Sequence, residues 1–258
     1  MPTEMVVKSV VAGLIASVAC GMGAIPVMFG NSNWLTKRTG LGYGFAGGLM
    51  FAASVYNLIW PGLTMLTEHS KFERTVLVVP GFLVGSLFIW VSDKFLHGIE
   101  EGDNQWVRWG GRTGLLVFIA MSLHSVPEGL AVGVGYASDA VVGQGWGTLI
   151  AVAISIHNIP EGLAVAIPLR AAGASGWKCF LAAFLTSLPQ PIAAVPACYA
   201  SWLFQPLMPF LMGLAAGAMI FLVLLEMIPE ALDSQKPAAI AWSFSFGFAG
   251  MILVQVLL

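Results

Sequence analysis

Two short stretches of this chain repeat the same chemistry. His124-Ser125-Val126-Pro127-Glu128-Gly129 is followed 33 residues later by His157-Asn158-Ile159-Pro160-Glu161-Gly162. In each, a His and a Glu stand four apart, which on a helix puts both on one face. Two such helices side by side would gather two imidazoles and two carboxylates. That donor set suits Zn, Fe, Mn, Co or Ni better than Ca or Mg. The blander reading is two apolar helices, each with a proline kink and a polar pair that glues the bundle. The duplication of the set favours the metal site.

These residues must be positioned inside a membrane. The chain has 258 residues, 58% of them hydrophobic and 9% charged, where a soluble domain carries about 25% charged residues. Eight apolar segments run from about Val6 to Phe29, Gly42 to Leu66, Val76 to Leu96, Gly114 to Tyr136, Gly147 to Leu169, Phe180 to Phe204, Leu207 to Ala231 and Ala238 to Leu258. Each has the roughly 20 residues a helix needs to cross a bilayer. The pattern predicts an all-α membrane protein of eight transmembrane helices with short connections. Alternating strands with polar interiors are absent, which argues against a β-barrel. The net charge of -2 selects no partner, and nucleic acid is not expected. Cys20, Cys179 and Cys198 have no paired spacing and read as small apolar packers. Lys8 and the run to Ala19-Cys20-Gly21 resemble a signal peptide, but the internal repeat partner of that segment argues for a retained span.

Orientation follows from the basic residues. Lys37, Arg38, Lys94, Arg108, Arg112, Arg170, Lys178 and Lys236 fall on one side; Lys8, Lys71 and Arg74 fall on the other. The richer side belongs in the cytoplasm, which places both termini outside. Span two aligns with span seven at an offset of 169, with Gly44 on Gly213, Gly48 on Gly217, Met50 on Met219 and Asn57 on Glu226. Span one aligns with span six at an offset of 170, and spans three and eight share Gly81-Phe82 and Gly247-Phe248. Partners five spans apart cross in opposite directions. The expected frame is therefore a 3+2+3 inverted-repeat bundle whose central pair carries both stretches, an arrangement typical of transporters with a midplane site.

Buried ionisable groups in hydrocarbon mark function more often than not. Pro127 and Pro160 each strip a helix hydrogen bond, freeing the Leu123 and Ile156 carbonyls beside the His residues, so the helices are expected to be weakest at the site. Gln190, between Pro189 and Pro191, either coordinates through oxygen or satisfies freed backbone. Asn158 and Ser125 flank the ligands and could shape a second, weaker site. Glu226 has a path or proton role, or is simply a span-end residue. Asp93, His97, Glu100, Glu101 and Asp103 form either a cytoplasmic landing patch or, the favoured reading, a solvated loop; Glu68 and His69 are an outer counterpart.

The paired His-x-x-Pro-Glu-Gly stretches, with Ser187-Leu188-Pro189-Gln190-Pro191, resemble the ZIP (Zrt-, Irt-like protein) divalent metal transporters, in particular their GufA-like branch. The resemblance covers nearly the whole chain and implies a single ZIP-type transmembrane domain over residues 1–258. It implies a primary metal site of His124, Glu128, His157 and Glu161, with Asn158 and Gln190 in an adjacent one. Ser125 stands where many members have Asn and Gln190 where many have Glu, so one dominant metal is expected. The loop from about Gly98 to Arg112 has no His, unlike the His-rich loop of other members. The implied activity is transport of zinc first, and also iron, manganese and cadmium, toward the cytoplasm. It would proceed by an elevator-like slide of spans one, four, five and six against the others, often in a homodimer. No organic cofactor is expected, and the metal is cargo. The rival reading is an intramembrane zinc hydrolase of lipid or peptide. It would need an open metal position and a separate general base, and no motif supplies one. The expected location is a plasma, inner or organelle membrane.

Overall fold

The computed structural model describes residues 2–29, 38–64, 71–100, 111–142, 145–171 and 173–257. Among these residues there is no strand. In lipid, only a helix satisfies its own backbone, and the elements follow from that. They are α1 (Pro2–Met22), α2 (Ile25–Phe29), α3 (Thr39–Ala53), a π-helical turn (Ser54–Ile59) and α4 (Trp60–Thr64). Then come α5 (Lys71–Glu100), α6 (Gly111–Val142), α7 (Trp146–Ala171), α8 (Gly176–Thr186) and α9 (Pro189–Leu203). After a short 3-10 turn (Gln205–Leu207), the chain continues as α10 (Met208–Leu222), a second π turn (Val223–Met227), α11 (Ile228–Ser234) and α12 (Pro237–Leu257).

Among the described residues, six stretches are long and apolar enough to cross a bilayer: Thr3–Phe29, Arg74–Phe95, Trp146–Ile167, Gly176–Leu203, Gln205–Ser234 and Pro237–Val256. Their burial sorts centre from rim. The windows on α7 and on α10–α11 are 67% buried, against 22% for α5 and 17% for α12. The rim helices turn Leu83, Leu87 and Val91 of α5, and Trp242, Phe246 and Val256 of α12, outward. Those are the faces that meet lipid.

Four helix pairs make the frame: α5 lies along α10, α3 along α12, α6 along α9, and α1 along α7. Without a hydrophobic drive between helices in lipid, close approach through small residues holds such pairs. Two glycines beside the paired stretches make this specific. A Cβ on Gly162 would strike the Cys20 carbonyl, and one on Gly129 would strike the Gln190 carbonyl. Cys20 and Gln190 are themselves 170 residues apart, the offset at which spans one and six align.

The helices do not break where the prolines of the paired stretches suggest. Both α6 and α7 run without interruption through Pro127 and Pro160. The irregularities fall elsewhere. The sixth segment breaks at Ser187-Leu188, before α9 opens on Pro189. The two π turns sit at the same place in their segments, Ser54 matching Val223 and Asn57 matching Glu226 at the offset of 169. Neither stretch carries a compositional marker of a π turn.

Candidate metal centre

Three helices converge on the centre. From α6 comes Glu128; from α7 come His157, Asn158 and Glu161; from the start of α9 comes Gln190. The four-residue spacing puts His157 and Glu161 on one face of α7, with Nε2 and Oε1 3.9 Å apart. Pro189 and Pro191 suit the first turn of α9, where the lost N–H groups are not needed. That places Gln190 at a helix start deep inside the bundle.

Every member is enclosed: His157, Asn158 and Gln190 are 0% exposed, Glu128 1% and Glu161 4%. His157 Nε2 lies 3.0 Å from Glu128 Oε1. One donor atom from each of Glu128, His157 and Glu161 lies within 4.8 Å of the others. Gln190 Nε2 donates to the second oxygen of Glu128. Asn158 Nδ2 donates to Gln190 Oε1 at 3.2 Å and to the Ala16 carbonyl at 3.1 Å. This relay fixes both amides: Asn158 donates to Gln190, and Gln190 donates to Glu128. Two acceptor-capable atoms are left without a protein partner, Asn158 Oδ1 and His157 Nδ1.

The electrostatics are unbalanced. No Lys or Arg among the described residues pairs with Glu128 or Glu161. Two carboxylates in a dry interior repel each other and lose hydration, a cost a cation between them removes. Oxygen and imidazole donors are the ligand types that suit a divalent transition metal.

The fourth expected ligand is elsewhere. His124, 6% exposed, turns its Nε2 to Glu226 Oε1 at 3.3 Å. Glu226 is not the span-end bystander that its neighbours Pro229 and Glu230 suggest; it lies in the second π turn, facing α6. The structure thus brings Glu128, His157, Glu161, Asn158 and Gln190 together and sets His124 one step away. Ser125 donates its hydroxyl to the Met121 carbonyl of its own helix at 3.1 Å. The Ala16 carbonyl was not foreseeable, since backbone atoms leave no mark in a sequence. Of the acidic patch, Asp93 is half-buried near the end of α5. Glu101, Asp103, Glu68 and His69, and the side chains of His97 and Glu100, lie outside the described residues. The three cysteines are free and buried, as their spacing suggests.

Several known proteins resemble this chain. Residues 101–257 match the family model described as ZIP zinc transporter. The chain is 33% identical over 247 residues to the zinc transporter GufA of Myxococcus xanthus, covering 91% of this chain and 94% of that one. It is 31% identical over 290 residues to the zinc transporter ZIP11 of Xenopus tropicalis, covering 83% of this chain and 86% of that one. It is also 36% identical over 245 residues to an Arabidopsis thaliana protein named as a zinc transporter. That match takes in 95% of this chain, which spans only 38% of the Arabidopsis protein's length. With six apolar membrane-length helices, the protein is an integral, multi-pass membrane protein, and it belongs to the ZIP zinc transporter family, its GufA-like relatives included.

Proposed function

We propose that the chain carries a divalent transition metal ion, zinc foremost, through the membrane to the cytoplasm. The observation that supports this most is the buried Glu128–His157–Glu161 cluster, which has two carboxylates and, among the described residues, no Lys or Arg partner. In this reading Glu128, His157 and Glu161 hold the ion. His124, on the same face as Glu128, joins them as the fourth ligand when it leaves Glu226. Asn158 and Gln190 position Glu128 rather than bind a second metal, so one ion per chain is expected. Iron, manganese and cadmium offer acceptable chemistry at the same donors.

The proposed frame is a single domain over residues 1–258 with eight spans, 3+2+3, and both termini outside. The unit of α1, α6, α7 and α8–α9 slides against the scaffold of α3–α4, α5, α10–α11 and α12. The paired packing of α1 on α7 and α6 on α9 supports the first unit; that of α5 on α10 and α3 on α12 supports the second. The lipid-facing rim leaves room for a homodimer through the scaffold. A hydrolase is disfavoured: both carboxylates lie against His157 in the centre, leaving neither as a separate base.

The test is reconstituted protein in vesicles loaded with a metal-sensitive dye. External zinc is expected to enter, and Glu128→Ala or His157→Ala to abolish entry. Unchanged rates in both variants would remove the site assignment. A C-terminal reporter active only in the cytoplasm should stay silent; activity would overturn the topology.

A further inference from the structure

Asn57 is anomalous in this bundle. It is 2% exposed, and neither its Oδ1 nor its Nδ2 has a protein partner. Buried polar atoms are rarely left so, because each unmade hydrogen bond is costly. The side chain borders a small space of about 10 Å³, lined also by Leu58, Ala131, Ile150, Ile154 and Met219, room for roughly one water. The residue lies in the first π turn, and such turns are enriched at functional sites.

Its repeat mate explains what it is for. Glu226 holds the same place in the second π turn and reaches His124 on α6. Exchanging the repeats takes α10 to α3, α6 to α7 and His124 to His157, which are 33 residues apart. The image of the Glu226–His124 contact is therefore an Asn57–His157 contact. The structure does not make it. Asn57 instead stands opposite Ile150 and Ile154. These lie three to seven positions before His157, roughly 5–10 Å along a helix. The other end of the exchange agrees: Ile154 maps to Met121, one turn before His124. A slide of α6–α7 by that distance brings His157 to Asn57 and leaves Met121 facing Glu226. The antiparallel course of α6 and α7 makes these the same direction of movement.

We propose that Asn57 is a positioning residue for transport, the partner that His157 acquires when the centre sits at the opposite side of the membrane. This rests on the sliding reading above. The pairing unites two atoms that are stranded in the present state. His157 Nδ1 has no partner, and a histidine whose other nitrogen binds metal almost always needs an acceptor there. Asn57 Oδ1 is an acceptor without a donor. The amide also serves either tautomer, because it both donates and accepts. Glu226 and Asn57 thus receive the centre by turns, a carboxylate on one side and a neutral amide on the other.

The experiment is cysteine cross-linking in the full-length protein with its three native cysteines replaced. Asn57→Cys with Ile154→Cys and Glu226→Cys with His124→Cys are the pairs of the present state. Asn57→Cys with His157→Cys and Glu226→Cys with Met121→Cys are the pairs of the other. All four are expected to link with a short thiol-specific reagent. If Glu226→Cys links to Met121→Cys while Asn57→Cys never links to His157→Cys, the role of Asn57 is overturned and the slide stands. If neither alternate pair links, the slide itself fails. In vesicles, Asn57→Leu is expected to lower zinc influx about tenfold, the worth of one hydrogen bond to a polarised ring, while leaving zinc bound per chain in detergent unchanged. Asn57→Asp, which keeps the acceptor, is expected to restore most of the rate. Full influx in Asn57→Leu would overturn the proposal independently.

Discussion

Glu161→Gln should raise the protein's stability without metal and cut most of the stabilisation that metal adds. Glu161 is the right carboxylate to neutralise, because Glu128 also accepts a hydrogen bond from Gln190 and its loss would disturb two things at once. Donor oxygens of the two carboxylates lie no more than 4.8 Å apart. With both ionised, an effective dielectric of about 20 puts their repulsion at roughly 3 kcal/mol. The hydrogen bonds that Glu128 makes with His157 and Gln190 offset part of that, so about 1–3 kcal/mol is released when Glu161 becomes a neutral amide of the same shape. In chelator, Tm should therefore rise by roughly 2–6 °C at about 2 °C per kcal/mol. With zinc at about 100 times the wild-type Kd, binding stabilises the wild type by about 2.7 kcal/mol, and a 100-fold weaker site keeps only about 0.4 kcal/mol. The assay is a thermal melt of purified protein in detergent across a zinc titration. If Glu161→Gln lowered Tm in chelator, or kept the full zinc-induced shift, the cluster would not be the cation site argued here.

Other consequences of the structure are open to direct measurement. Gly162→Ala drives a Cβ into the Cys20 carbonyl, so α1 must move off α7; a loss of about 1–3 kcal/mol is expected, read as a lower Tm and less folded protein in detergent. His124→Ala, Glu226→Ala and the double variant form a cycle for a pair 3.3 Å apart. A coupling of about 0.5–3 kcal/mol in zinc influx is expected, and additivity would disconnect the pair. Gln190→Glu replaces the amide that donates to Glu128 with a third carboxylate, and metal bound per chain by elemental analysis should rise from one ion toward two. A stoichiometry fixed at one would show that the amide does not limit the count.

The sequence made the centre legible because its spacing matches the helical repeat. His157 and Glu161 share a face for the same reason that any i, i+4 pair does. Gln190 was legible through its flanking prolines, which stand in the first turn of α9. The proline argument failed in α6 and α7, where the helix continues through Pro127 and Pro160. Flanking packing, including the close contacts at Gly129 and Gly162, holds those backbones regular. The π turns left no trace in composition, yet they aim Glu226 at His124. On the proposed slide, which of two repeat-related contacts is made depends on the relative position of two helix groups, and a sequence that encodes both positions cannot single out one. The same reason hid the departure of His124 from the other ligands.

The unequal lengths of the helices bear on how the protein sits in its bilayer. The rim helix α12 has 21 residues, about 31 Å at 1.5 Å per residue, close to a hydrocarbon thickness of about 30 Å. The helix α6 has 32 residues, about 48 Å, and must tilt or project beyond the hydrocarbon. A thicker or thinner bilayer therefore loads α12, which has no slack, and is absorbed by α6, which does. Acyl-chain length thus acts on α12 before it acts on α6, the helix that carries Glu128. The surrounding lipid becomes a mechanical setting for the depth at which α12 is held.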